Sequence, residues 1–555
     1  MTSRIGRRPH PRRPSFCASC PDDARALAES PRWRVALGAG AFALGALGAL
    51  GCSGSAHAES ETEAATAESE AIPDVPVPPA NGPKLLVLRH LTVVRDRPSA
   101  AGKALGYLRA GAQIARAAEP YGKNGCEGGW YPVRPRGFVC AGSDATIDLS
   151  APLATLPLAA PRLESPMPYR YVRVKKGEGV VYAALPSPAE QLAAEPKLGG
   201  REAAQPKPLG AGANDVPVDE LGIAKGPPVI VPGIDGAGED GLRTTLSFFE
   251  LPGWPAKGAA LADGAALAPS GAFGATQVVK RLSGMPIAGV VTAGSGKDER
   301  RFGVLPDGRF LPLDRVAPAL GSGWHGSDLR EIGLPLAFAV RSGVRDWKLL
   351  PSAKVEVGDD ELDALEAIPL TGRFRTVNES KYYYTRDDRW VRARDLIIIP
   401  KRDKFPDFAT PTQKWIDVSL ANQTLVVWEG RKPLYATLVS SGQDRVGDPE
   451  KGPATVQGVF KVRAKYVTRD VDEREVGQAH SLLDAPWVTE FAEGFGFVGS
   501  YWNGDFGEAA GFHAIALPPV DARFIWTWSD PAVPEGWHGV AIDDAAATTI
   551  VYTHR

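Results

Sequence analysis

From Lys414 onward, apolar and polar positions alternate cleanly. Ile416, Val418 and Leu420 fall on one side of an extended chain, and Trp415, Asp417 and Ser419 on the other. That spacing predicts a strand with one face buried and one face toward solvent. Two further runs, QTLVVWEG (423–430) and LYATLVSSG (434–442), follow across Gly-containing turns and predict the opening of an antiparallel sheet or sandwich. Short apolar runs between turns also mark residues 84–148: KLLVLRHLTVVRDRPS, KALGYLRAGAQIARA and GGWYPVRPRGFVCA. Between 150 and 410 the pattern loosens into scattered Val/Tyr/Phe strands, turns such as VPGIDGAGEDG, and a barrel-like run ending in KYYYTRDDRWVRARDLIIIP. Its Tyr382, Tyr383, Tyr384 and Trp390 could stack on a sugar or peptide, but alternating aromatics in a strand are more often core. This region shows no P-loop, dinucleotide fingerprint or metal-ligand spacing.

Composition supports a mainly β, multi-domain reading. The chain has 555 residues, too long for one ordinary domain, and its 61 Gly and 49 Pro favour turns and short strands over long helices. A hydrophobic share of 44% and a charged share of 23% exclude a disordered polymer or a membrane channel. The formal charge of −2 gives no attraction for nucleic acid. No cofactor and no metal site is expected.

The N-terminus changes the picture of where the protein works. An Arg/Pro-rich leader (1–34) precedes the apolar run Val35–Gly51, which is short for a spanning helix and suits a signal-peptide core. Two processing sites compete. Ala49-Leu50-Gly51-Cys52 resembles a bacterial lipobox, although such boxes usually carry Leu where Ala49 stands, and would lipidate Cys52. Ala56-His57-Ala58 instead fits ordinary signal peptidase, and a buried helix of a cytosolic protein is the bland alternative. Cys17 and Cys20 form a lone CxxC without a second pair. Residues 53–83, acidic and then Pro-rich, read as a disordered tether that holds folded domains off a membrane. The expected organisation is therefore a leader (1–52), the tether (53–83), a small barrel (84–148), a β-rich middle region with further barrel-like modules (149–410) and a C-terminal domain (411–555).

The pattern of 84–148, with Gly106-x-Leu108-x-x-Gly111 and GGWYPVRPRGFVC, resembles bacterial Src-homology-3-like domains, small barrels often joined to cell-wall enzymes. In an exported protein Cys126 and Cys140 would form a disulfide there, worth about 3 kcal/mol by loop entropy.

The C-terminal words resemble the L,D-transpeptidase (YkuD-type) family, whose members cross-link peptidoglycan through a Cys nucleophile. The resemblance runs from about Lys414 to about His538. It rests on the first hairpins, on TVQGVF (Thr455 to Phe460) with Val456 where the family has Pro, on APWV (Ala485 to Val488) and on DARFIWTWSDPAVPEGW. In active relatives a His-Gly opens the catalytic segment and Ser/Thr-His-Gly-Cys closes it. Across residues 497–523 that pattern places Val498 at the first His, Gly511 at the Ser/Thr, Phe512 at the catalytic His, His513 at the Gly and Ala514 at the Cys. Every reacting position is replaced, and the chain has no Cys after Cys140. Acyl transfer of this kind needs a thiolate, a His to activate it and donors for the oxyanion. Ser440, Ser441 and Ser500 with His480, His513 or His538 are the candidates for a substitute pair, each with a bland reading as a turn, edge or solvated residue. Tyr501, Trp502 and Phe506 are the candidates to line a substrate cleft.

These readings imply a β-sandwich of the L,D-transpeptidase type without working chemistry, in an exported, cell-envelope or periplasmic lipoprotein. Its partners would be peptidoglycan or its stem peptides, a cell-wall protein, and a membrane through a lipid anchor. The alternatives are an active transpeptidase or hydrolase with an atypical nucleophile, and an interaction module in which the small barrel does the binding.

Overall fold

The computed structural model describes residues 74–555, apart from 176–177, 196–211, 229–258, 261–275, 295–298, 352–353, 472–480 and 543–546. The leader with Cys17, Cys20 and Cys52, most of the tether, and His480 lie outside the described residues. Among the described residues no helix is long and apolar enough to cross a membrane.

The fold is mainly β. Residues 84–146 form seven short strands. Lys84–Val87 pairs with Gln113–Ala115 and Ala145–Thr146, while Leu91–Arg95 pairs with Ala104–Arg109 and Phe138–Cys140. Leu85, Val87, Leu108, Val133 and Val139 fill the core. Cys126 and Cys140 are joined as a disulfide with their Cα atoms 5.8 Å apart.

The end of the expected tether is packed. Val75 sits against Cys126, Trp130 and Phe138, and Arg134 Nη1 donates to Pro78 O at 2.9 Å. Composition alone missed this, because a few apolar residues suffice when a formed pocket receives them.

The C-terminal domain is a two-sheet sandwich. One sheet runs Ser327–Asp328, Lys432–Leu438, Thr424–Glu429, Lys414–Ser419, Ile550–His554, Gly458–Lys461. The other contains Ala464–Val471, Leu482–Ala492, Phe495–Gly499 and Ile515–Leu517. Ile416, Val418, Leu425, Val427, Trp487, Phe491, Phe497 and the inner side of the helix Pro519–Trp528 make the core between them.

The expectation of a half-buried first strand is corrected. Trp415 is fully buried and Asp417 nearly so, because residues 324–338 and 399–409 cover the outer face of that sheet with Trp324, Phe338, Ile399 and Ala409. Asp417 survives there by pairing with Arg402 and His554.

The second sheet does not stop at the domain edge. Gly539–Ala541 pairs with Ala464–Val471 on one side and with Ala104–Arg109 on the other, so the sheet continues into the 84–146 strands. At its far end Leu482 pairs with Gly284, which leads into Arg170–Val174 and Val316–Ala319. Gly106 permits the first junction, because a Cβ there would collide with Trp537 and with Gly539 O. A further sheet, residues 336–399, carries Tyr382 in a buried position and Tyr383, Tyr384 and Trp390 half-buried.

Candidate functional site

Parallel pairing of Phe495–Gly499 with Ile515–Leu517 sets Val498 opposite Ala516. The turn after Val439 closes onto the same place: Ser440 exchanges backbone hydrogen bonds with Ala516 at 2.9 Å, and Gly511 N donates to Ser441 O at 2.9 Å. Gly442 must be glycine, since a Cβ would overlap Phe512 O and Pro453 O. These contacts bring Ser440, Ser441, Val498, Ser500 and the irregular segment Gly511–Ala514 together.

The geometry of Phe512, His513 and Ala514 is informative. Ala514 is half-buried and packs with a cluster that includes Val498, Ala516 and Tyr501, and to which Met167, Ala213 and Val216 of the middle region also belong. The His513 ring lies 5.0 Å from the Phe495 ring and 4.3 Å from that of Phe512. Burial lowers its pKa, against opposing bonds to the carbonyls of Pro449 and Gly452. Its backbone O accepts from Thr455 Oγ1 at 3.0 Å.

The three serines are buried and already engaged. Ser500 Oγ lies 2.8 Å from Asn503 Oδ1 and accepts from Asn503 N. Ser441 Oγ accepts from Gln423 Nε2 at 2.7 Å, and Ser440 Oγ accepts from Ala510 N at 3.3 Å. Among the described residues none of them bonds a His. His538 is elsewhere, in a buried group with Thr468, where burial first and then Arg109 push its pKa down to about 3.

Two of the three cleft candidates are core residues. Tyr501 is buried, stacks on Tyr171 at 4.3 Å and donates to Leu483 O. Phe506 is buried against Trp324. Their apolar area is worth more in the core than at a groove, which removes both from substrate contact. Trp502 remains half-buried, and its carbonyl accepts from Arg173 Nη1 at 2.9 Å.

Several supporting residues escaped the sequence reading. Gln423 clamps the serine turn, donating to Leu420 O and Ser441 Oγ and accepting from Ser441 N. Asp521, fully buried, accepts from Tyr435 Oη at 2.7 Å, Thr437 Oγ1 at 2.5 Å and Gly326 N at 3.1 Å. Burial pushes its carboxyl pKa up.

Arg109 Nη2 lies 2.6 Å from Asp484 Oδ2, and Arg109 Nη1 lies 2.7 Å from His90 Nε2. His90, Asp470 and Asp484 have the spacing of metal ligands, but the guanidinium already supplies the positive charge there. None of these residues carries a motif. The only sequence signal is a charged residue at a core-facing position of an alternating strand. A cavity of about 230 Å³ lies away from Ala514, between residues 74–78 and Leu105, Pro135 and Phe138.

Comparison with known proteins gives a family match. Residues 413–535 match the family described as the L,D-transpeptidase catalytic domain, YkuD. Solved structures with likeness include an L,D-transpeptidase mutant from Enterococcus faecium, at 19% identity and TM-score 0.19, covering 26% of this chain and 50% of that one. An L,D-transpeptidase from Xylanimonas cellulosilytica has 16% identity and TM-score 0.20, covering 28% and 64%. One from Mycobacterium smegmatis has 13% identity and TM-score 0.21, covering 43% and 89%. The chain thus spans about half to two thirds of the first two. No curated protein matches. By the family match, residues 413–535 are an L,D-transpeptidase catalytic domain of the YkuD type.

Proposed function

We propose that this domain keeps the transpeptidase scaffold without its chemistry, and that the protein acts in the cell envelope by binding peptidoglycan stem peptides and organising or regulating the wall. Exported, it would be held at a membrane through a lipid on Cys52. One feature of the sequence supports the reading: the resemblance aligns Ala514 with the family's nucleophile and Phe512 with its activating His, and the chain has no Cys after Cys140. Alanine has no lone pair to attack a carbonyl, and by analogy with a protease triad losing a nucleophile costs about a million-fold in rate. Among the described residues the nearby hydroxyls offer no replacement, because Ser440, Ser441 and Ser500 are bonded to amides and not to an imidazole.

The test is cross-linking of tetrapeptide muropeptides by the purified protein, read by chromatography and mass spectrometry. No cross-links are expected from the natural chain or from Ala514→Cys, whose thiol would keep a pKa near about 8.5 and stay mostly protonated at neutral pH. Phe512→His, His513→Gly and Ala514→Cys together should restore some turnover. Turnover by the natural chain that disappears with Ser500→Ala would establish the enzyme reading instead.

A further inference from the structure

Residues 74–78 cross the strands of 84–146 as a strap, and the strap does not fill the groove it crosses. Val75 packs on Cys126, Trp130 and Phe138, and Pro78 O accepts from Arg134 Nη1 at 2.9 Å. Beside these anchors lies the cavity of about 230 Å³. Its wall is hydrocarbon: Val75, Val77, Leu105, Val133 and Phe138, with the prolines at 76, 78, 132 and 135. Proline has no N–H, so this wall offers a ligand surface to bury and few hydrogen bonds to make.

Three ionisable side chains line the same cavity: Asp74, Asp96 and Arg136. Asp96 is buried and committed, its Oδ1 accepting from Lys103 N at 2.8 Å and from Arg97 Nε at 3.3 Å. Asp74 is exposed on the strap, where water screens it. Arg136 is exposed and has no partner among the described residues. Arg95, opposite Phe138 in the register, donates to Gly102 O at 2.6 Å, and Arg134 donates to Pro78 O. Those carbonyls leave the charge of both guanidiniums uncancelled. Arg95, Arg97, Arg134 and Arg136 therefore stand against two carboxylates, and the local balance favours an anion.

We propose that this cavity binds a small aliphatic carboxylate, with its hydrocarbon body beside the strap and its carboxylate on the Arg136 guanidinium. An apolar pocket with one placed polar group is the usual form of a small-molecule site, and the guanidinium fork matches a carboxylate bidentately. At about 30 Å³ for a water-sized group the cavity holds roughly seven or eight heavy atoms, the size of a short branched-chain acid. A sugar would leave most of its hydroxyls without partners against the prolyl wall. Because residues 74–78 make one side of the cavity, a bound ligand fastens the strap to the strands it crosses. The site is apart from Ala514 and independent of the reading of the C-terminal domain.

The probes are isovalerate and isocaproate, titrated into the full chain and read by saturation-transfer nuclear magnetic resonance. Both should bind, and acetate, which has the charge without the body, should bind about tenfold or more weakly. Arg136→Ala should weaken isovalerate binding about tenfold or more. Its side chain is exposed and unpartnered among the described residues, so the variant should keep its near-ultraviolet circular dichroism. Hydrogen–deuterium exchange at the Val75 and Val77 amides should slow when isovalerate is present, since the ligand holds the strap down. Failure of the natural chain to bind either acid, equal binding by Arg136→Ala, isoamylamine binding as tightly as isovalerate, or binding without slower exchange in the strap would each overturn the proposal.

Discussion

Two sides of the C-terminal sandwich are covered by the rest of the chain, and the covers use different physics. On the outer face of the first sheet, Trp415 and Trp428 stack at 5.3 Å, with Phe405 and Phe408 edge-on to them and Trp324 and Phe338 in the same cluster. That cover is area and shape, with the Asp417 group as its polar insertion. On the side of the 84–146 strands, Arg109 reaches Asp484, Asp484 accepts from Thr468 Oγ1 at 2.6 Å, and Thr468 N donates to His538 Nε2 at 3.2 Å. Burial opposes the charge on Asp484, but Arg109, His90 and the hydrogen bond from Thr468 together outweigh it, so the carboxyl pKa falls. An apolar cover loses stability in proportion to the atoms removed. A buried charge network loses most when one partner goes and the other stays.

The largest effect should come from the apolar side. Trp415→Ala removes one of the two fully buried Trp rings of that cluster and the hydrogen bond its Nε1 donates to Gly430 O at 2.7 Å. We expect a loss of about 5 kcal/mol, at the upper end for such truncations, read as a shift of the urea midpoint. Asp484→Asn should follow at about 3 kcal/mol, because Arg109 would be left charged and buried. Arg109→Met with Asp484→Leu should recover most of that loss. If the double variant were no better than the single one, the charges would be contributing more than mutual compensation, and the contrast between the two covers would fail.

The sequence showed the strands of the sandwich, and the alternation at 416–420 correctly gave its inner face. It could not show the outer face, because Trp415 and Asp417 look solvent-facing until residues 324–338 and 399–409, distant in sequence, fold over them. The segment that the resemblance aligns with the catalytic one, with Val498, Gly511, Phe512 and Ala514, could be located from motif spacing, and the structure brings Val498 and Gly511–Ala514 together with the serine turn. Burial of Tyr501 and Phe506 was not legible, since an aromatic residue reads the same in a groove as in a core. Nor was the Arg109–Asp484 pair, whose partners are 375 residues apart and meet only because the Gly539–Ala541 strand joins two sheets.

The subtlest difference between the covers should be their response to acid, and His538 is the group that reads it. Its ring is buried, its Nε2 lies 3.2 Å from Thr468 N and 2.9 Å from Thr468 O, and its Nδ1 has no hydrogen-bond partner among the described residues. A second proton would add charge in a buried place beside Arg109, while Asp484 and the bond to the Thr468 backbone carbonyl pull the other way. The folded pKa of about 3 lies below the unfolded value of about 6.5. Between those limits the unfolded chain therefore binds more protons, and stability rises with pH. Lowering the pH from about 6.5 should cost at most ~1.4 kcal/mol per unit from this residue. Asp521, whose folded pKa is raised by burial, contributes with the opposite sign above the unfolded carboxyl value, and it does so equally in natural and variant chains. His538→Gln keeps an acceptor for Thr468 N and cannot titrate, so the variant's stability should fall less steeply between pH 6.5 and pH 4, the difference being this residue's own share. Urea unfolding of both chains at several pH values checks it, and parallel curves would mean that the polar cover is no more acid-sensitive than the aromatic one.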